Sequence, residues 1–235
     1  MNKNVIKVFV GYDPKESVAW HAMVSSIYRQ SSKPLAIIPV NLRNLEGIYN
    51  RPRDEKQSNE FSFSRFLVPY LCNYEGQAIF FDCDQMLRTD IADIFSVIES
   101  QPGKAVYVVK HTYEPRNDVK YLNSIQYKYP RKNWSSVVLW NCDNLKNRTV
   151  TPEYINTTQA LALHRFAWLE DDEIGELDLR WNWLVGEYDD PPNDVKNVHW
   201  TVGGPYFTEY ADSDFAEEWF EEKKKMNFCL QKNHK

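Results

Sequence analysis

Apolar positions along the chain follow two rhythms: short unbroken runs, and longer stretches in which they recur three and four residues apart. Residues 5–10 (VIKVFV) are one such run and close on Gly11-Tyr12-Asp13-Pro14, which predicts a buried strand and a turn. Residues 17–28 place Trp20, Met23, Val24 and Ile27 on one helical face. A second strand is predicted over 35–40, followed by a polar excursion over 41–59. Phe63, Phe66, Leu67, Tyr70 and Leu71 trace another helical stripe, with Pro69 early in it or kinking it. Residues 78–81 form a short buried strand ending in Asp82-Cys83-Asp84, and Thr89-Asp90 caps a helix carrying Ile91, Ile94, Phe95 and Ile98. Further strands are predicted over 105–109, 135–140, 177–180 and 198–200, with helices over 157–166 and from Asp212 or Ser213 onward. This alternation, without repeat or linker, predicts a single α/β domain over residues 1–235 built on one mixed, mostly parallel sheet flanked by helices.

Composition narrows the function classes. With 43% hydrophobic and 14% aromatic residues a packed core is expected. Net charge is −5 with the acids scattered, and without a basic face a nucleic-acid polymer is not an expected partner. The first four residues lead straight into a strand interrupted by Lys7, unlike a signal peptide. Every apolar run falls far below the roughly 20 residues that span a bilayer. Cys72, Cys83, Cys142 and Cys229 show no CxxC spacing and read as reduced thiols, so a cytoplasmic location is expected.

Asp82-Cys83-Asp84 places two carboxylates at the carboxyl end of a buried strand, where open α/β sheets bind ligands. In extended backbone Asp82 and Asp84 face the same way and Cys83 the other. A divalent cation relieves the repulsion between two such acids, and hard oxygen ligands favour Mn²⁺ or Mg²⁺, which also take phosphate oxygens. The same motif occurs in haloacid-dehalogenase-type phosphotransferases, but on a first strand; here about eighty residues of α/β pattern precede it. Downstream, His199 offers a neutral imidazole as third ligand, and Gly203-Gly204-Pro205 would let backbone N–H groups approach phosphate oxygens.

Taken together, the chain resembles glycosyltransferase family 8 and its GT-A relatives. The resemblance rests on the strand ending at Gly11-Tyr12-Asp13, on Phe63-Ser64-Arg65-Phe66, on the D-x-D strand and on the segment from Asn133 to Asn141. It continues through Leu179-Arg180-Trp181-Asn182 and His199 before Gly203. It implies a GT-A fold, the Rossmann-like fold of nucleotide-diphospho-sugar transferases. It further implies Mn²⁺ on Asp82, Asp84 and His199 gripping the diphosphate of a UDP-sugar, and a hexosyltransferase activity. Gly11, Tyr12 and Asp13 would bind the nucleoside, and Arg65 would face the pyrophosphate, together with Cys83, Gly203 and Gly204. Where the family has Lys-Pro-Trp this chain has Gly204-Pro205-Tyr206, which marks it as a divergent relative.

For an inverting reaction a carboxylate base is needed, and the cluster Glu170-Asp171-Asp172-Glu173 offers Asp171 and Asp172. For a retaining one, Gln159 could line the sugar site. Trp134 is the acceptor-side candidate, Ser135 and Ser136 are further substrate-binding candidates, and Tyr121, Tyr127, Tyr129, Trp181 and Trp183 could stack on sugars or fill the core. The expected acceptor is a glycan or lipid-linked sugar. Lys223-Lys224-Lys225 with Phe228 and Leu230 could touch an anionic membrane surface. The competing readings are a D-x-D phosphohydrolase or nucleotidyltransferase, and a non-catalytic nucleotide-sugar-binding module.

Overall fold

A computed structural model describes residues 5–54, 57–112, 114–116, 119–120, 122, 124–125 and 130–226. Strand β1 (Ile6–Gly11) leads through a 3-10 turn, capped by the Asp13 side chain, into helix α1 (Ser17–Gln30). Strand β2 (Leu35–Val40) follows. Then come a 3-10 turn over Ser64–Leu67, helix α2 (Val68–Leu71), β3 (Gln77–Phe81) and β4 (Gln85–Leu87). Asp90 caps a 3-10 turn over Ile91–Ser96 that runs into α3 (Val97–Ser100), as its placement predicted. Strand β5 (Val106–Val108) and a small hairpin, β6 (Val119–Lys120) with β7 (Ser124–Ile125), come next, then β8 (Val137–Asn141). The second half holds α4 (Pro152–Thr157), α5 (Ala160–His164), β9 (Ile174–Glu176), β10 (Trp183–Leu184), β11 (Asn197–His199) and α6 (Ala216–Met226).

Six strands form the main sheet in the order β2-β1-β3-β8-β5-β9, all parallel except β8. Because β2 lies on one side of β1 and β3 on the other, the chain reverses direction across the sheet there. Sheets of this kind take ligands at such a reversal, here the carboxyl ends of β1 and β3. The central strands are buried on both faces, which is why β3 reads as the unbroken run Ala78-Ile79-Phe80-Phe81. Gly11 ends β1 because a Cβ there would lie 2.3 Å from the Phe61 ring.

A second, three-stranded sheet in the order β10-β11-β4 carries its own core of Met86, Trp183, Val198, Trp200 and Trp219, roofed by α6. Two expectations are corrected. The strand predicted over 177–180 is displaced to β9, and residues 179–182 form a 3-10 turn. The helix predicted over 157–166 breaks at Thr158-Gln159 into α4 and α5, since both residues take extended ψ values. No helix among the described residues is long and apolar enough to cross a membrane. Tyr121, Tyr127, Tyr129, Cys229, Phe228 and Leu230 lie outside the described residues; Lys223, Lys224 and Lys225 form the last turn of α6.

Candidate metal and nucleotide-sugar site

Residues 82–84 bridge the two sheets. Asp82 follows the end of β3, with its amide donating to the Ser136 carbonyl (3.0 Å), and one residue past Asp84 the chain enters β4. Strand β4 pairs antiparallel with β11 in a register that sets His199 opposite Gln85. The Trp200 amide then donates to the Asp84 carbonyl (3.0 Å). These pairings bring an imidazole from far downstream onto the acidic pair: His199 Nε2 lies 3.4 Å from Asp84 Oδ1. One ligand atom from each of Asp82, Asp84 and His199 lies within 4.8 Å of the others.

All three side chains are buried, His199 to 2% exposure. Asp82 Oδ1 meets Arg65 Nη1 at 2.6 Å as an ion pair, and the two oxygens of a carboxylate keep further lone pairs for a cation. Burial pushes the Asp82 carboxyl up to about 6; Arg65 and His199 pull against this and Asp84 adds to it. Two buried oxygen ligands and one imidazole make a donor set suited to a Mn²⁺- or Mg²⁺-like ion.

Arg65 is itself buried, donates from Nη1 to the Ser135 carbonyl (3.0 Å), and packs between Phe61 and Phe80 with its guanidinium carbon 5.1 and 5.2 Å from the ring centres. Behind His199 stands a network that joins Ser136 and Asn182 to His111 and Tyr188. Asn182 Oδ1 lies 2.9 Å from His199 Nδ1, and Asn182 Nδ2 lies 2.8 Å from Ser136 Oγ and 2.9 Å from His111 Nε2. His111 Nδ1 in turn meets the Tyr188 hydroxyl at 2.8 Å, and burial drags the His111 imidazole down to about 3, so it stays neutral.

No protein-family model matches the chain. It is 43% identical over 231 residues to Protein CDI of Arabidopsis thaliana, covering 96% of this chain and 88% of that protein. The chain belongs to the Protein CDI family. Among solved structures this family member is similar to the WbbM bifunctional glycosyltransferase, with a TM-score of 0.64 and 14% identity over 94% of this chain and 50% of WbbM. It is similar to GlyE of Streptococcus pneumoniae TIGR4, at 0.60 and 15% over 93% of this chain and 60% of GlyE. The galactosyltransferase LgtC, solved with donor and acceptor sugar analogues, matches at 0.60 and 10% over 96% of this chain and 98% of LgtC. The chain thus spans half of WbbM and three-fifths of GlyE. The GT-A fold implied by the family 8 resemblance is therefore the fold of this CDI-family chain.

The remaining candidates fall into place unevenly. In this CDI-family chain both oxygens of Asp13 are occupied: Oδ1 accepts from the Lys15 amide (2.9 Å) and Oδ2 from the Glu60 amide (3.0 Å). Asp13 therefore clamps the first loop, and Tyr12 lies beside it with its ring edge-on to Trp20. Cys83 points into the main core, and burial, with acids around it, holds its thiol well above the usual range. Ser135 joins Arg65 to His164, whose Nδ1 is 3.0 Å from Ser135 Oγ, and Ser136 joins Asp82 to Asn182. Trp134 donates to the His111 carbonyl (3.1 Å), with Lys110 and Arg131 over its ring. Gln159 is exposed ahead of α5, and it is His164 from that helix that reaches Ser135.

Asp171 and Asp172 are not brought to the triad. They precede β9, whose Ile174 is level with Val106, Trp140 and finally Ala78 at the start of β3, whereas Asp82 follows its end. Asp171, 86% exposed at its side chain, pairs with Arg131. Gly203 and Gly204 sit where two tyrosine rings crowd the backbone. A Cβ on Gly203 would lie 2.3 Å from Tyr210, and one on Gly204 would lie 2.2 Å from Tyr206. The Gly203 amide already donates to the Trp200 carbonyl (3.0 Å). The Tyr206 ring is tethered, since its hydroxyl donates to Glu16 (2.6 Å) and it packs at a tilt against Trp219. Gly204→Ala is therefore expected to cost about 1–3 kcal/mol of stability, read as a lower urea midpoint; an unchanged midpoint would show that the ring yields.

Proposed function

We propose that this protein is a divalent-metal-dependent glycosyltransferase that takes a hexose from a UDP-sugar and passes it to a glycan or lipid-linked acceptor in the cytoplasm, as a single catalytic domain. The observation that carries this reading is the convergence of Asp82, Asp84 and His199 just past the carboxyl end of β3 in a GT-A fold. A bound cation would neutralise charge building on the leaving diphosphate. The chain's own residues do the rest: Asp82 and Asp84 supply oxygens, His199 supplies Nε2, and Arg65 holds the Asp82 carboxylate in place through its ion pair. The loop of Gly11 and Tyr12 would border the nucleoside, and Ser135, Ser136 and Trp134 the sugar side. Lys223–225 would provide no more than a weak peripheral membrane contact.

Incubating the protein with a panel of nucleotide sugars and Mn²⁺ tests this. Metal-dependent release of UDP from at least one of them is expected. Release of inorganic phosphate from simple phosphomonoesters, with no response to any nucleotide sugar, would refute it.

A pH dependence follows from Asp82. Its carboxyl titrates near 6 in the fold against the usual 3.8, so this group favours the metal-free fold below 3.8 and that advantage disappears as pH rises through 6. A cation competes with the same proton. The gain in Tm from Mn²⁺ is therefore expected to grow between pH 5 and pH 7.5 in thermal scans; an equal gain at both ends would contradict the assignment.

A further inference from the structure

We infer that Asn182 is the positioning residue of this site: it fixes the His199 ring with the proton on Nδ1, so that Nε2 faces Asp82 and Asp84. The inference rests on the metal-site reading above and extends it to a residue that touches neither metal nor substrate.

Hydrogen bookkeeping decides the orientation. Ser136 Oγ gives its proton to the Asn133 carbonyl (2.7 Å), so toward Asn182 it can only accept. The end of the Asn182 amide facing it must then be the NH₂ group. The second hydrogen of that group faces His111 Nε2 at 2.9 Å, which must present a lone pair and leave the His111 proton on Nδ1, 2.8 Å from the Tyr188 hydroxyl. With its nitrogen committed, Asn182 can turn only Oδ1 toward His199 Nδ1 (2.9 Å), and an oxygen acceptor there requires a proton on that nitrogen.

The ring is left with Nε2 aimed at the acids, 3.4 Å from Asp84 Oδ1. Asn182 is fully buried and comes from the 3-10 turn before β10, which pairs with β11 through Leu184↔His199. The same small sheet that delivers the imidazole thus delivers the group that orients it. Partners of this kind around ligating histidines set both tautomer and ring angle.

The test begins with the unaltered protein, free of metal, at pH 8. Side-chain ¹⁵N NMR, with the signal assigned by its loss in His199→Gln, is expected to show neutral His199 protonated on Nδ1; protonation on Nε2 would overturn the inference whatever any variant does. Titration calorimetry with Mn²⁺ alone then compares variants of matched circular dichroism. Asn182→Leu is expected to bind about 10- to 100-fold more weakly. Asn182→Asp, which keeps an oxygen acceptor toward Nδ1, is expected to recover most of that loss. Equal affinity in the unaltered protein and Asn182→Leu would overturn the inference while leaving the metal site standing. Absence of Mn²⁺ binding by the unaltered protein would overturn both.

Discussion

Asp84→Asn is expected to cut Mn²⁺-dependent nucleotide release by about three orders of magnitude while leaving the metal-free fold as stable as before, or more so. The two effects have opposite signs for one reason. Asp82 and Asp84 are neighbouring buried acids, and after burial itself the Asp84 charge is among the influences pushing the Asp82 carboxyl upward. Replacing one carboxylate with an amide of the same shape relieves that conflict. It also removes a ligand whose cation is worth several kcal/mol to a departing diphosphate. A structural acid would behave in the reverse way, with stability falling and turnover following it. Measuring urea unfolding and UDP release on the same preparation separates the two. Retention of more than about a tenth of the activity would remove Asp84 from the ligand set.

Arg65→Met is expected to be among the most damaging single changes to stability, costing about 3–5 kcal/mol. The arginine is buried between Phe61 and Phe80, and its Nη1 serves both the Asp82 carboxylate and the Ser135 carbonyl. Methionine fills much of the volume yet leaves Asp82 to lose its counter-charge or take up a proton, and leaves the Ser135 carbonyl without its donor. The double variant Arg65→Met with Asp82→Asn removes the stranded charge and is expected to recover a large part of the loss, a coupling that urea unfolding can read. Strict additivity of the two changes would mean that Arg65 acts through packing alone. Its burial also bears on the expectation that Arg65 faces a pyrophosphate: in this fold its guanidinium already serves the protein's own groups.

Much of the architecture was legible because it is local. The runs of β1, β2 and β3, the start of α1 at Ser17 and the Asp90 cap depend on residues a few positions apart. The stripe from Phe63 is helical as expected, but only Val68–Leu71 is an α-helix; Ser64–Leu67 forms a 3-10 turn, a common start to a helix. Strand β4 was missed: three residues after Asp84 carry no periodicity, and their strand character comes from pairing with β11. The displacement of β9 has a similar origin, since its register is set by β5 rather than by its own pattern.

The candidate site divides along the same line. Asp82 and Asp84 were visible from the apolar strand before them, and His199 from its imidazole chemistry ahead of Gly203-Gly204, which the family resemblance then joined to the acids. Asn182 lay inside a quoted motif without being selected, and His111, Tyr188 and His164 gave no local signal because their partners are far away in sequence. The acidic cluster at 170–173 was singled out on charge alone, without any signal of where it sits in the fold. Charge density suggested a base, but the strand order carries Asp171 and Asp172 away from the triad.

The central claim is that one divalent cation is held jointly by Asp82, Asp84 and His199. Anomalous diffraction from crystals grown with Mn²⁺ and UDP tests it most directly. The account predicts a single strong manganese peak about 2.0–2.3 Å from an oxygen of each aspartate and from His199 Nε2, with diphosphate oxygens completing the sphere. A diphosphate bound at the carboxyl ends of β1 and β3 with no manganese among those three side chains would contradict it.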